Sequence, residues 1–413
     1  MLTEQTNSEL GRHLLTIRGV QFIFGAQGDP FALLLRAGDD DPLAHGERAR
    51  ELGLHRSSIG AWVTASREVG ARILGDHRFS ARHEGQGPQH HPGVDVWENP
   101  QLCHVVPLDD AFLNLDPAEY DRLAAVAAPL LGTEAVESRR GEAEKAHREV
   151  LEGVGDEFDL YHDFAVPAVT RSVADLLGIP DDRRALLSRL HTDLAPALDA
   201  GNCPQQLPVT RALLSAVGEL RAELESLTRS GAAAGLAGLP RPDAVAAGVL
   251  AVVVGIEASA TALCNAVETL LDHPAHWERL HRDPGLVDAT AHECLRFAPP
   301  LHFESRIARE ETELAGQTIE AGARVVVLLD AANRDPEAFT DPGTFDPHRT
   351  DGARQLSLPG GPADAVTGAL VRSQMRAALV ALAGARPGLR RTDRVLRRMR
   401  SAQLRGVLRF PVA

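Results

Sequence analysis

Cysteine is scarce: Cys103, Cys203, Cys264 and Cys294 are the only four in 413 residues. None forms a C-x-x-C pair or a zinc-like spacing. A disulfide framework is therefore excluded, no metal site is expected, and a reducing cytoplasm fits. Basic charge is also in deficit. The formal net charge is −14, which speaks against a nucleic-acid reader, because such proteins present a basic face. The first residues, MLTEQTNSELGRH, lack the basic, apolar and small segments of a secretion signal. There is no internal repeat, no long low-complexity tract, no phosphate-binding G-x-x-x-x-G-K-[ST] loop and no G-x-G-x-x-G. One long apolar stretch, Ala244–Leu263, invites a membrane reading. It carries Glu257, and a charge at a bilayer centre is costly, so a buried core helix is expected and no membrane partner.

What is present is a mixed N-terminus, a helical middle and a β-rich late segment. A single domain over 1–413 is expected, mainly α with a smaller β part. Residues 10–40 form an N-terminal segment rich in large apolar side chains, split by the turn Gly25–Pro30. Asp41–Gly53 reads as a helix closed by a C′ glycine. Ile59–Ala65 alternates as a short strand, and Arg67–Asp76 reads as another helix. Residues 84–99 are loop-like. His83, His90 and His91 cluster there without an acidic or cysteine partner at ligand spacing, so a polar surface loop is expected. Helices dominate from Pro117 to Ala291. After Pro299 the pattern alternates, with Glu320–Gly322 as a turn. The arginine run Arg386–Arg400 is expected to be a solvated basic surface.

Three stretches carry a family resemblance. HECLR places Glu293 and Arg296 three apart, on one face of a helix, where acid and base can pair. FDPHR ends in Arg349. ILGDHRFS and ANRDPEAFTDPGTFDPHR complete the pattern. Together they resemble the cytochrome P450 family over nearly the whole chain. The resemblance implies the P450 fold, with Glu293, Arg296 and Arg349 as its structural triad.

Against that family the loop LSLPGGPADAVTG departs. Its pattern is F-x-x-G-x-basic-x-C-x-G, and here Leu358, Gly361, Ala363, Ala365 and Thr367 take those places. A haem thiolate cannot come from Ala365. Two positions that hold haem propionates are Tyr120 and Ala124, and a third, the basic loop position, is Ala363. Only Arg306 keeps a propionate position. The alcohol that relays protons on the oxygen-activating helix is Ala258, although the acid before it, Glu257, is kept. The resemblance therefore implies a P450 fold without the haem thiolate, with no cofactor and no catalytic residue of its own. An empty haem-sized void would cost about 24 cal/mol per Å³. Ile256, Leu358 and Pro359 are the expected fillers.

Such a chain is similar to the haem-less accessory partners of TDP-deoxysugar glycosyltransferases in macrolide and anthracycline antibiotic pathways. GVQFIFGAQGDPFALLLRAGDDDP and His90–Pro117 carry this likeness, and the overall resemblance leans to the anthracycline branch. It implies a non-enzyme that activates or stabilises a glycosyltransferase. Phe22, Phe24 and Phe31 are candidate contacts, or else they pack on the protein's own core. Two alternatives stay open. One is a TDP-4-keto-6-deoxysugar isomerase with Glu257 as base, aided by Tyr120 or His104. The other is a haem-free carrier of a polyketide aglycone.

Overall fold

A computed structural model describes residues 6–38, 41–80, 111, 113, 117–358 and 362–413. The His83, His90 and His91 cluster, Cys103, His104, Pro359 and Gly361 lie outside the described residues, as do the side chains of Tyr120, Ala363 and Ala365.

The N-terminal segment folds as three helices, α1 (Asn7–Ala26), α2 (Pro30–Arg36) and α3 (Pro42–Glu51). Each start is written in the sequence. Thr6 and Glu9 form a capping box on α1. Asp29 and Asp41 cap α2 and α3, each followed by a proline in the first turn. Gly53, with φ +66°, takes the left-handed position after α3. Two short strands follow, β1 (His55–Arg56) and β2 (Trp62–Thr64), then α4 (Arg67–Gly75) and β3 (Phe79–Ser80).

The helical body holds α5 (Pro117–Leu131), α6 (Thr133–Ser138), α7 (Arg140–Glu152), β4 (Phe158–Asp159), α8 (Val166–Leu177), α9 (Asp181–Leu194), α10 (Ala197–Ala200) and α11 (Leu207–Ser230). At its centre, α12 (Arg241–Leu250), a π-turn segment (Ala251–Ile256) and α13 (Glu257–Asp272) form one rod. The rod is long and apolar enough to cross a membrane, yet its most apolar window is buried throughout inside the fold. Helices α14 (Pro274–Arg282) and α15 (Val287–Phe297) lead out of it.

The late β segment supplies β5 (Phe303–Ala308), the hairpin β6 (Thr312–Leu314) and β7 (Gln317–Ile319), and β8 (Arg324–Leu328). Ala315 and Gly316 both have positive φ and close the hairpin, while Gly322, φ +81°, turns β7 into β8. The main sheet runs β1-β2-β8-β5-β3, with β2 and β8 parallel and its other pairs antiparallel. The chain ends with α16 (Leu329–Ala332), α17 (Pro362–Ala385), β9 (Leu396–Arg397), β10 (Val407–Arg409) and β11 (Pro411–Val412). The largest core lies among the helices around the rod. A smaller one lies between the N-terminal helices and one face of the sheet, where Phe31, Val63, Phe303 and Leu328 meet.

Candidate functional site

Glu293 and Arg296 sit on one face of α15. Glu293 accepts from Arg296 Nε at 2.8 Å and Nη2 at 2.7 Å. The remaining Arg296 protons go to the carbonyls of Asn333, Pro342 and Thr344 at 2.9–3.0 Å. All five donors of a side chain with no exposure are thus satisfied. Arg349 Nε approaches Glu293 at 3.1 Å and its Nη1 reaches Asp351 at 2.7 Å. The structure therefore brings Glu293, Arg296 and Arg349 into one buried cluster, which anchors the 333–351 segment beneath α15.

The central rod packs against α17. Ile256 and Leu358 are buried in the same apolar cluster as Val366 and Leu370. The two helices touch: a Cβ added at Gly255 would meet Leu370 Cδ2 at 2.7 Å. Ala258 is buried, and Ala124 packs partly buried against the same core. Ser259, next to the relay position, is buried, and its hydroxyl has no hydrogen-bond partner among the described residues.

A haem needs a thiolate and cationic partners, and the described residues supply neither set. Cys203 follows α10, Cys264 is midway along α13 and Cys294 is on α15. All three are buried. Burial pushes the Cys203 thiol up to about 12, pushes that of Cys264 well above its ordinary value, and Cys294 lies far above the usual thiol range for the same reason. Arg306 is buried and already paired with Glu304 at 2.6 Å, although its Nη2 finds no acceptor among the described residues. One partly committed guanidinium does not make a haem cradle, so the described residues do not fit that group.

Glu257 is not an open acid. It begins α13, is 1% exposed, and takes Arg398 Nη2 at 2.5 Å on Oε1. Oε2 accepts from Tyr161 Oη at 2.7 Å, and His191 Nε2 lies 3.3 Å away. Burial pushes this carboxyl up. The Arg398 charge, then His191 and Tyr161, more than offset that, and its pKa ends below the usual glutamate value. The arrangement stores a charge in the core; it does not present a base to a substrate. Nothing local in the sequence announces this cluster, because its members are 66 to 141 residues from Glu257.

Two expectations are corrected. Phe31 is fully buried and packs edge-on against Phe303, ring centroids 5.6 Å apart, so it is a core residue and not a surface contact. Of the other two candidates, Phe22 is 54% exposed and Phe24 is partly buried. The arginine run is only partly a solvated surface. Arg397 pairs inward with Glu268 and Asn265, and Arg398 with Glu257. Arg386 reaches the carbonyls of Val154 and Gly155.

Comparison with known proteins agrees with this frame. The cytochrome P450 family model matches residues 239–359. The chain is 46% identical to Protein AknT of Streptomyces galilaeus, covering 99% of this chain and 96% of that one. It is 39% identical to Protein DesVIII of Streptomyces venezuelae, covering 98% and 94%. The solved structure of P450 RauA, complexed with a biosynthetic intermediate of aurachin RE, superimposes with a TM-score of 0.78 at 24% identity, over 92% of this chain and 99% of that one. The chain belongs to the cytochrome P450 family. Within it, AknT and DesVIII are full-length relatives.

Proposed function

We propose that this protein is a non-catalytic auxiliary partner of a glycosyltransferase. It binds and activates or stabilises the enzyme that attaches a TDP-activated deoxysugar to a polyketide antibiotic aglycone, and it works in the cytoplasm without haem. The observation that carries the reading is the contrast between a satisfied Glu293–Arg296–Arg349 frame and a central rod packed on α17 with Ile256, Leu358 and Leu370 buried between apolar neighbours. A P450 fold whose central rod closes on α17 in this way is fitted to present a surface.

The outer face of α1 is the surface in question. Leu10, Leu14, Ile17, Gln21 and Gly25 face inward. Leu15, Phe22 and Ile23 stand exposed at 72%, 54% and 56%. Positions 15, 19, 22, 23 and 26 share one face of a helix, and here they read Leu, Gly, Phe, Ile and Ala. Contiguous apolar surface exposed on a folded protein marks interaction sites when it is large enough. A partner that binds only the active conformer of the transferase raises that conformer's population.

The isomerase reading needs Glu257 as a base near a substrate carbonyl. Its commitment to Arg398, Tyr161 and His191 weighs against that role. The test is to measure sugar transfer by the transferase encoded nearest this gene, with and without this protein, at matched transferase concentration. The same mixtures are run by size-exclusion chromatography. Co-elution with a many-fold rise in turnover is expected. Separate elution and equal turnover would defeat the proposal.

A further inference from the structure

Residues 199–205 lie in the connection between α9 and α11. Connections of this kind ordinarily run exposed over a surface and fluctuate. This one does not: none of residues 199–205 is exposed. It is gripped from two sides by segments far away in the chain. On the N-terminal side, Gln21 Nε2 donates to Asn202 O at 2.9 Å and Cys203 Sγ to Leu35 O at 3.2 Å. On the C-terminal side, Asp199 accepts from Ser401 Oγ at 2.6 Å and from the amides of Gln403 and Leu404 at 2.9 and 3.1 Å. Asn202 Nδ2 donates to Gln403 Oε1 at 2.7 Å, and Gln205 Nε2 to Arg400 O at 2.7 Å.

Gln21 carries the grip into the sequence. It shares the inward face of α1 with Leu10, Leu14 and Ile17 and is 3% exposed. An apolar side chain would pack there without desolvating an amide, and a buried amide costs free energy unless it is hydrogen-bonded. The bond that Gln21 donates to Asn202 O explains its place. Arg18 Nη2, on the same helix, donates to Arg36 O at 2.9 Å and so ties α1 to the end of α2. Cys203 and Ala402 are buried in one apolar cluster with Phe31 and Leu35, so α2, the connection and the C-terminal turn also share a core.

We infer that residues 199–205 are a latch joining α1 to the 401–406 turn, so that these two distant segments loosen and tighten together. One end of the latch carries the outward residues Leu15, Phe22 and Ile23. The other end leads to the buried charge on the rod: the Arg398 amide donates to Gly406 O at 2.7 Å, and the Arg398 guanidinium holds Glu257. Coupling of this kind is reciprocal, so whatever steadies α1 steadies the turn, and whatever frees the turn frees α1.

The inference does not rest on the glycosyltransferase proposal, because its readout uses this chain alone. Native-state hydrogen exchange of the whole chain is followed by mass spectrometry. Gln21→Leu removes the donor at one end and is read at residues 403–405. Ser401→Ala removes the hydroxyl at the other end and is read at residues 18–26. Each variant loses one hydrogen bond across the latch, so exchange at the distant segment is expected to quicken about fivefold. Helix α7, packed against α8 and α17, is expected to keep its wild-type rate. Should either variant fail to fold, Asn202→Ala, in the middle of the latch, is expected to quicken both ends together. Exchange that quickens only beside the substituted residue, or equally in α7, overturns the inference.

Discussion

Arg398→Met tests whether the charge at Glu257 is held by design. Glu257 is 1% exposed and the Arg398 side chain 18% exposed, so little water screens the pair. Methionine keeps the length of the stem and removes the charge. Glu257 then has Tyr161 and His191 as hydrogen-bond partners but no permanent cation. Removing one partner of a buried pair leaves an uncompensated charge and costs about 3–5 kcal/mol. Urea unfolding at pH 7.5 reads that loss. The pH dependence has a definite sign. In the wild type the folded pKa of Glu257 lies below its ordinary value of 4.5. Its contribution is therefore fully present above pH 4.5 and is lost as pH falls through the folded pKa. Without Arg398, burial is left to dominate and the folded pKa rises above the unfolded one. The penalty is then complete at pH 7.5 and shrinks as acid protonates the carboxyl, so the gap between variant and wild type narrows toward pH 5. Adding Glu257→Gln to Arg398→Met removes the stranded charge and recovers much of the stability. A single variant within about 1 kcal/mol of wild type at pH 7.5, or a double variant no better than the single, would refute the reasoning.

Gly406→Ala acts on the same pair from behind: the new Cβ would fall 1.9 Å from Arg398 Nη2. The guanidinium tip can swing away, but only by leaving Glu257, so a loss of stability is expected that disappears in the Arg398→Met background. Phe31→Ala removes a fully buried ring that packs edge-on against Phe303 and is expected to cost about 3–5 kcal/mol in urea unfolding. Phe22→Ser, at an exposed ring 4.3 Å from the Arg36 guanidinium, is expected to change stability by about 1 kcal/mol or less while reducing co-elution with the transferase. Arg296→Met leaves Glu293 with Arg349 as its one cationic partner and takes the Arg296 donors from the carbonyls of Asn333 and Pro342, so a reduced soluble yield is expected, measured together with near-ultraviolet circular dichroism.

How far the sequence speaks depends on whether a constraint is local. The caps of α1 to α3, the turn at Gly53 and the three-residue step from Glu293 to Arg296 each involve neighbours in the chain, and each can be read from residue types. Arg349 is 53 residues from Arg296, and only family resemblance links them. The Glu257 cluster has no such aid: Tyr161, His191 and Arg398 come from three separate elements, and charge density at Arg386–Arg400 cannot reveal which arginines turn inward. The N-terminal aromatics fail for a different reason. A helix with one apolar stripe declares its buried face, but α1 carries two, Leu10, Leu14 and Ile17 on one side and Leu15, Phe22 and Ile23 on the other. Composition gives both stripes equal weight, and only packing against the rest of the fold assigns one to the core. Phe31 belongs to the next helix, whose buried face meets the sheet at Phe303. The same apolar richness therefore divides into a core residue at 31 and an open face at 15, 22 and 23, and it is the second part that a partner can use.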